Sequence, residues 1–587
     1  MDKKPCSEFS LSDGLFRSPD GPIVRIQDTA HRAITLHQLE RLVAHVEEQL
    51  SSGPWLRDDG SLISSLHQVT LYDLNHHLIL PTTRPFKCSL VELLSDTKGP
   101  QPPDVFTSHY WGEPIIHLLR CLQQHAKDRG LACQPGDEQY VEGQSLGRSP
   151  RYWICAYANN QHNLDAELSN HGTDSVEQTS FVRAMRQSRG TVLVVDDTAT
   201  CFSRLWCVYE IYSSLLGGCR SDSQYTFDFY TAIAKDNKIT AVGIMDGMAA
   251  VDCNAEMKWE RESQFPMERL RQGMSFDCRN GRASLRADEI RIHQAIGNGQ
   301  QKTRLNNTVH GLVAATVLRR ALESPRQGRQ VALEALQLGR IRKLSLYMED
   351  SFADSHDNMI RVIDSLDGDA CELLYLQSDT LEMLPSDFGR FQQLKQLSFM
   401  GCRSLKCLPE SFGELCSLQE LHLQFCTSLT ELPHNFGSLS SLSWISLDGC
   451  PIETLPGSFG QLTSLSRLYL TDCACLQQLP DNLHQLKYLK ILHLNRCIRL
   501  ERMPESLPCS LHTLQLERCQ SLTRLPVRMQ ELTSLQTLNL WQCTGLIALP
   551  QLTQSSLTTI QTGGLDPQLV EGWEASGRKY YALKLER

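Results

Sequence analysis

From Leu394 onward a single phase governs the sequence. Leu394, Leu418, Leu442, Leu465, Leu489, Leu511, Leu535 and Leu557 each open a unit, at intervals of 22 to 24 residues. Each unit reads L-x-x-L-x-L-x-x-C-x-x-L-x-x-L-P, as in the stretch from Leu418 to Pro433. A unit this short cannot bury its own leucines. They leave water only when neighbouring units stack, so the pattern dictates a one-dimensional solenoid with one long core. Parallel strands on one face, from about residue 340 to 560, bring the leucines inward together. Less regular units at Leu373 to Leu394 and from Ile341 extend the array upstream.

The units resemble leucine-rich repeats. The Leu-Pro step followed by Ser-Phe-Gly or Asn-Phe-Gly is similar to the plant disease-resistance and small-GTPase-scaffold types. Cys402, Cys426, Cys450, Cys473, Cys497, Cys519 and Cys543 take the position that is Asn or Cys in such repeats, where a small, buried, weakly hydrogen-bonding side chain fits. The chain has 22 cysteines. Stacked turns hold equivalent side chains parallel at about 4.8 Å, whereas a disulfide depends on opposed Cβ vectors. The thiols are therefore expected to be reduced and metal-free.

Residues flanking the strand leucines point to the concave face. They are Glu420, His422 and Gln424; Trp444, Ser446 and Asp448; Arg467 and Tyr469; His493 and Asn495; Gln515 and Glu517; and Asn539 and Trp541. Most are ordinary solvated strand residues taken singly. Together, with Trp444, Tyr469 and Trp541 outside a leucine core, they read as a surface for a protein ligand.

The first half centres on residues 180 to 212. Phe181, Ala184 and Met185 line one side of a helix, and Gly190 is placed to stop it. Thr191 to Val195 is a short, apolar, β-branched strand suited to a sheet covered on both faces. Trp206, Tyr209 and Tyr212 then recur at helical spacing, leaving Glu210 as a lone acid on a largely apolar helix. Upstream, Asp104 to Glu113 reads as a buried strand with a polar, aromatic loop, Ile115 to His125 as a helix, and Tyr152 to Ala158 as a second strand. Asn159, Asn160, Gln161 and His162 follow at its carboxyl end, where ligands bind in open parallel sheets and where asparagine also forms turns. Tyr225 to Tyr230 and Ile239 to Gly243 read as further strands, and Leu285 to Ile296 and Val309 to Leu322 as helices. The expected fold is a doubly wound parallel sheet of about five strands.

Trp206-Cys207-Val208-Tyr209-Glu210-Ile211 resembles the W-C-x-x-E-L signature of Toll/interleukin-1 receptor domains, especially those of plant immune receptors. The preceding run from Phe181 to Val195 resembles their A-I-x-x-S-x-x-x-I-V-V segment, and Val105, Phe106, Ser108, His109 and Gly112 resemble their first strand and loop. In enzymatic members the glutamate of W-C-x-x-E cleaves NAD at the nicotinamide bond. The resemblance thus implies Glu210 as catalytic residue and Ser108, His109, Asn159, Asn160 and Trp206 as contacts to NAD as substrate. It also implies self-association through this domain. Cleavage of a glycosidic C–N bond passes through an oxocarbenium-like state, which a nearby carboxylate stabilises by position. Ser203 lies three residues before Trp206 rather than two, and the assembly loop after the second strand has no clear match, so substrate grip and assembly rest least firmly on the resemblance.

Domain boundaries are expected at 1–100 (no function assigned), 101–325 (the α/β domain), 326–565 (the repeats) and 566–587 (a tail or cap). Within residues 1–100, His37 to Leu50 reads as a helix and Val69 to Tyr72 as a strand. Gly297 to Thr303 fails as a phosphate loop, because Gln301 stands where G-x-x-x-x-G-K-[ST] needs glycine. The resemblance to plant receptors would imply an ATPase module between these two domain types, but the short stretch between them leaves no room for it, so it is expected to be missing. A formal charge of −10 makes nucleic acid a poor partner. With neither an apolar leader nor an apolar run of roughly 20 residues, the expectation is a cytoplasmic protein without a membrane span. Three readings stay open: a recognition protein that hydrolyses NAD, a non-enzymatic adaptor using both domains as surfaces, and a repeat-linked ubiquitin ligase with Cys201 or Cys207 as nucleophile.

Overall fold

Strand β6 (Gly190–Val194) is buried at every position, as its unbroken apolar run requires. It lies inside a six-stranded sheet with β1 (Ile34–Thr35), β4 (Val105–Ser108), β5 (Arg151–Trp153), β7 (Thr226–Lys235) and β8 (Lys238–Ile244). The order across the sheet is β1-β5-β4-β6-β7-β8. A small separate hairpin is formed by β2 (Trp55–Leu56) and β3 (Leu62–Ile63). The computed structural model describes residues 23–94, 99–131, 148–164, 176–217, 225–236, 238–250, 252, 254–323, 326–348, 355–550 and 556–574. The chain divides into two compact units, Met1–Cys253 with Met257–Val317, and Asn254–Glu256 with Leu318–Arg587.

In the first unit only the central strands β5, β4, β6 and β7 run parallel; β1 and β8 are antiparallel edges. This corrects the expectation of a parallel sheet throughout. A parallel neighbour needs a crossover of a dozen or more residues. Strand β8 instead starts at Lys238, just after β7 ends at Lys235, and Asp236 takes φ 51°.

Gly190 is also placed differently than expected. The helix Ser180–Gln187 already ends at Ser188, and Gly190 is the first residue of β6. A Cβ there would lie 2.2 Å from Thr226 Oγ1, so the glycine serves close approach of the neighbouring strand. The second strand stops at Trp153, and Cys155–Ala158 is a helical turn. Val69 to Tyr72 is not a strand: Thr70 and Asp73 form a capping box that starts the helix Leu71–Leu74. Gly297 (φ 100°) separates the helices Arg286–Ile296 and Gly299–Glu323.

The described residues of the segment set apart as 1–100 share a core with the sheet. Ile26, Leu39, Leu42, Val46 and Leu90 are buried in one cluster with Val105, Tyr152 and Val192. The helix Leu36–Ser52 begins at a second capping box, made by Thr35 and Gln38. No helix among the described residues is long and apolar enough to cross a membrane.

The second unit carries ten parallel strands in chain order: β9 (Lys343–Met348), β10 (Leu373–Ser378), β11 (Gln396–Ser398), β12 (Glu420–His422), β13 (Trp444–Ser446), β14 (Arg467–Tyr469), β15 (Ile491–His493), β16 (Thr513–Gln515), β17 (Thr537–Asn539) and β18 (Thr559–Gln561). The register aligns Leu344, Leu374, Leu397, Leu421, Ile445, Leu468, Leu492, Leu514, Leu538 and Ile560 in one buried row. Behind it Phe388, Phe412, Phe436 and Phe459 stack with ring centroids 6.0 to 6.2 Å apart and planes within 7° of parallel.

Each ladder cysteine donates its S–H to a backbone carbonyl of the preceding unit. Cys426 bonds Phe399 at 3.1 Å, Cys450 bonds Leu423 at 2.9 Å, Cys497 bonds Leu470 at 3.0 Å and Cys543 bonds Leu516 at 2.8 Å. Cys402, Cys473 and Cys519 do the same at 3.1 to 3.4 Å. The residue before each of these seven cysteines has positive φ: Gly401, Phe425, Gly449, Asp472, Arg496, Arg518 and Gln542. Repetition thus imposes a left-handed backbone position even where the residue is not glycine.

Candidate functional site

Strand β4 sends the chain to β5 on one side and β6 on the other, so the crevice beyond the carboxyl ends of β4 and β6 is the topological switch point of the sheet. Ser108 ends β4, and helix Leu205–Leu215 brings Glu210 against it. Ser108 Oγ donates to Glu210 Oε2 at 2.5 Å, and both side chains are buried. Burial pushes the Glu210 carboxyl up to about 8, and the Ser108 hydrogen bond only partly opposes it. Cys207 donates to the His109 carbonyl at 3.6 Å, and the Trp111 indole N–H reaches Cys155 Sγ at 3.1 Å. Burial lifts both thiols, with Glu210 adding to the rise, and Cys155 is pushed up to about 12. The carboxyl is therefore neutral near pH 7 among neutral thiols.

The end of β4 and the loop after it hold buried polar atoms without hydrogen-bond partners. Neither ring nitrogen of His109 is in hydrogen-bond geometry, and Thr107 Oγ1 and Glu113 Oε2 are likewise unpaired. Burial drives the His109 imidazole down to about 4 and the Glu113 carboxyl up to about 8, the latter raised further by Asp196 and opposed by Arg269. Leaving such groups dry and unpaired costs about 1 to 3 kcal/mol each. Arg269 links β7 to the turn after β6, donating to the Ala232 carbonyl at 2.9 Å and pairing with Asp197.

Of the residues expected around Glu210, Ser108 is in direct contact. The backbone of His109 holds Cys207, one helical turn before Glu210. Asn159 accepts from Ser180 at 3.2 Å, Asn160 donates to the Lys87 carbonyl at 2.9 Å, and His162 bonds Thr83 Oγ1 at 2.9 Å. The 159–162 loop is thus tied to the segment ahead of β4. The Trp206 ring stacks on Phe181 at 5.4 Å, its indole N–H donates to Asp288 at 3.3 Å, and the Arg291 guanidinium lies over the ring at 5.8 Å. Glu113, Cys155 and Arg269 were not singled out in the sequence. A carboxylate closing the polar loop after β4 was the available signal for Glu113; Arg269 comes from a distant helix and left none.

On the repeats, strand register sorts the surface residues into columns. Glu420, Trp444 and Arg467 share one, and His422, Ser446, Tyr469, His493, Gln515 and Asn539 share the next. Rings connect across them. Tyr375 meets His422 at 6.1 Å, His422 meets Trp444 at 4.0 Å, Trp444 meets Tyr469 at 5.8 Å and Tyr469 meets His493 at 4.8 Å. Trp541 lies under the Arg518 guanidinium at 4.9 Å. Other members are engaged locally. Asp448 accepts from the Thr471 N–H at 2.6 Å, Asn495 from the Glu517 N–H at 2.9 Å and Asn539 from the Trp541 N–H at 2.9 Å. Burial raises the Asp448 carboxyl above its usual range, against the hydrogen bonds it accepts.

The ten-stranded parallel sheet of the second unit fits a leucine-rich-repeat solenoid. Its fold is similar to the leucine-rich repeat domain of the type III effector XopL, at 25% identity and a TM-score of 0.33 over 44% of this chain and 90% of that one. A leucine-rich-repeat protein of Leptospira interrogans matches at 19% identity and a TM-score of 0.22, over 45% of this chain and 93% of that one. No protein-family model and no curated protein matches the sequence. Neither solved structure bears on the resemblance of the first unit to Toll/interleukin-1 receptor domains.

Proposed function

We propose that this chain recognises a protein partner along the strand face of its repeats, centred on the ring lane Tyr375, His422, Trp444, Tyr469 and His493. The observation that carries this reading is the continuity of the lane. Aromatic and imidazole rings cover one another across strands β10 to β15, outside a core already filled by leucines and the phenylalanine stack. Large, rigid, half-exposed rings supply contact area at small entropic cost, which is why they dominate protein interfaces. The test is capture of binding proteins by the wild-type chain and by Trp444→Ala/Tyr469→Ala. A partner held by the wild type and lost, by about 10-fold or more, from an equally stable double variant supports the reading. A partner indifferent to both substitutions places recognition elsewhere.

A second reading gives the α/β unit NAD cleavage through Glu210, with self-association of that unit. The Ser108–Glu210 pair at the switch point of the sheet supports it. As it stands the carboxyl is protonated near pH 7, whereas stabilising an oxocarbenium-like state needs the carboxylate. Any turnover should therefore rise with pH toward about 8 and fall by about 10² to 10³ in Glu210→Gln. NAD left intact by concentrated wild-type protein across that range ends this reading.

A further inference from the structure

The sheet of the first unit ends at β8, whose outer edge pairs with no strand among the described residues. The two halves of that edge differ. Where β8 ends, the helix Ala255–Glu262 caps the chain. Arg261 reaches the Gly243 carbonyl at 3.4 Å, the Met245 N–H donates to Glu262 at 2.8 Å, and Lys258 donates to the Met245 carbonyl at 2.7 Å. Ile239 to Val242 instead border a groove of about 530 Å³. Its opposite wall is the helix Ile115–Asp128, which contributes Arg120, Gln123, Gln124 and Lys127.

The charge left over in this groove is positive. Asp128, the one acid on its lining, already accepts from the Tyr230 hydroxyl at 2.7 Å and from Gln124 at 2.8 Å. Arg261 is committed to Asp252 at 2.7 Å. Arg120 and Lys127 are exposed, and Lys235 and Lys238 stand exposed at the hairpin end of the same edge. Lysine on an edge strand is a common guard against stray pairing. Guarding accounts for Lys235 and Lys238, which lie on the hairpin strands themselves. It does not account for Arg120 and Lys127, which stand on a helix across a groove.

We propose that the Lys238–Val242 edge takes up an extended, acidic segment of a partner protein as an added strand. Main-chain hydrogen bonds to β8 would hold it, and carboxylates at every second position would meet Arg120 and Lys127. The alternation follows from the strand itself. Ile239 and Ala241 pack on the side covered by the helix Ile115–Asp128, so residues of an added strand that share that side face its cations. Four to five residues span about 15 Å, a length that edge addition commonly uses.

The experiment titrates the intact chain with three synthetic peptides by fluorescence anisotropy. One is an acetylated heptapeptide alternating Glu with Thr or Val, the second its Lys-for-Glu copy, and the third the Glu peptide N-methylated along its pairing edge. The Glu peptide should bind, weaken with added salt, and lose about 10-fold or more in affinity for Arg120→Glu/Lys127→Glu. The other two peptides should not bind. Both substitutions are at exposed positions, and an unchanged melting curve verifies the fold. Equal binding of the Lys copy, equal binding of the N-methylated peptide, indifference to the double variant, or displacement by inorganic phosphate at equal charge would each overturn the proposal.

Discussion

The two units place their buried polar atoms differently. In the repeats the recurring buried polar groups find partners one unit away, ladder thiols on carbonyls and Asx side chains on N–H groups, while Gln377, Gln424, Asn435 and Asn482 each keep one unpaired amide oxygen. In the α/β unit Thr107 Oγ1, both His109 ring nitrogens and Glu113 Oε2 lie buried without hydrogen-bond partners, at the end of the strand that carries Ser108 and in the loop after it. A solenoid satisfies its interior by translation, so one adequate solution is reused along the array. A sheet with a switch point has one such crevice, and its polar cost is offset only if water or a ligand enters.

The contrast can be broken most forcefully at Leu421. Leu421→Ala should cost about 2 to 5 kcal/mol, because the void opens onto both neighbouring units of a continuous core. Thermal unfolding unchanged within error would show that the stacked row is not what holds the array.

Glu210→Gln tests the other side and should act with opposite sign. The native carboxyl keeps its proton up to about 8, whereas an unfolded glutamate releases it near 4.5. Between those values the folded state binds more protons, so stability of the α/β unit declines as pH rises across that window. Glutamine mimics the protonated acid. The variant should flatten that decline and gain about 1 to 3 kcal/mol near pH 8, read from denaturant midpoints at pH 5 and pH 8. A loss of stability at both pH values would mean that the site needs the carboxylate.

The smallest effect is expected at Cys450. Cys450→Val keeps the bulk while deleting the S–H donor to the Leu423 carbonyl, and should cost about 0.5 to 1.5 kcal/mol. No change at all would reduce the ladder to packing alone.

The same contrast explains what was legible in the sequence. Leu394 through Leu557 announce their register because every unit repeats the signal, and the two irregular units upstream were found as β9 and β10. The α/β elements from Val105 to Ile244 were found by local periodicity. The antiparallel direction of β8 was not, since it depends on the turn at Asp236 and not on the strand residues. Ser108 and Glu210 were expected near one another through the resemblance. The pairing of Arg269 with Asp197 and the tie between Asn160 and Lys87 were invisible because they join positions far apart in the chain with no repeating pattern. Phe425 and Arg496 at left-handed positions could not be read from residue preference, since stacking overrides it there.

The one-per-unit thiol ladder has a practical corollary. Each of these thiols is buried, so a thiol-reactive reagent can reach it only when its own stretch of the solenoid opens. Alkylation rates at Cys402, Cys426, Cys450, Cys473, Cys497, Cys519 and Cys543, resolved by mass spectrometry, therefore give a site-by-site profile of opening free energy along the array. Occupation of the ring lane by a partner would register as slowed labelling at the cysteines of the units it clamps, which locates the footprint without any substitution.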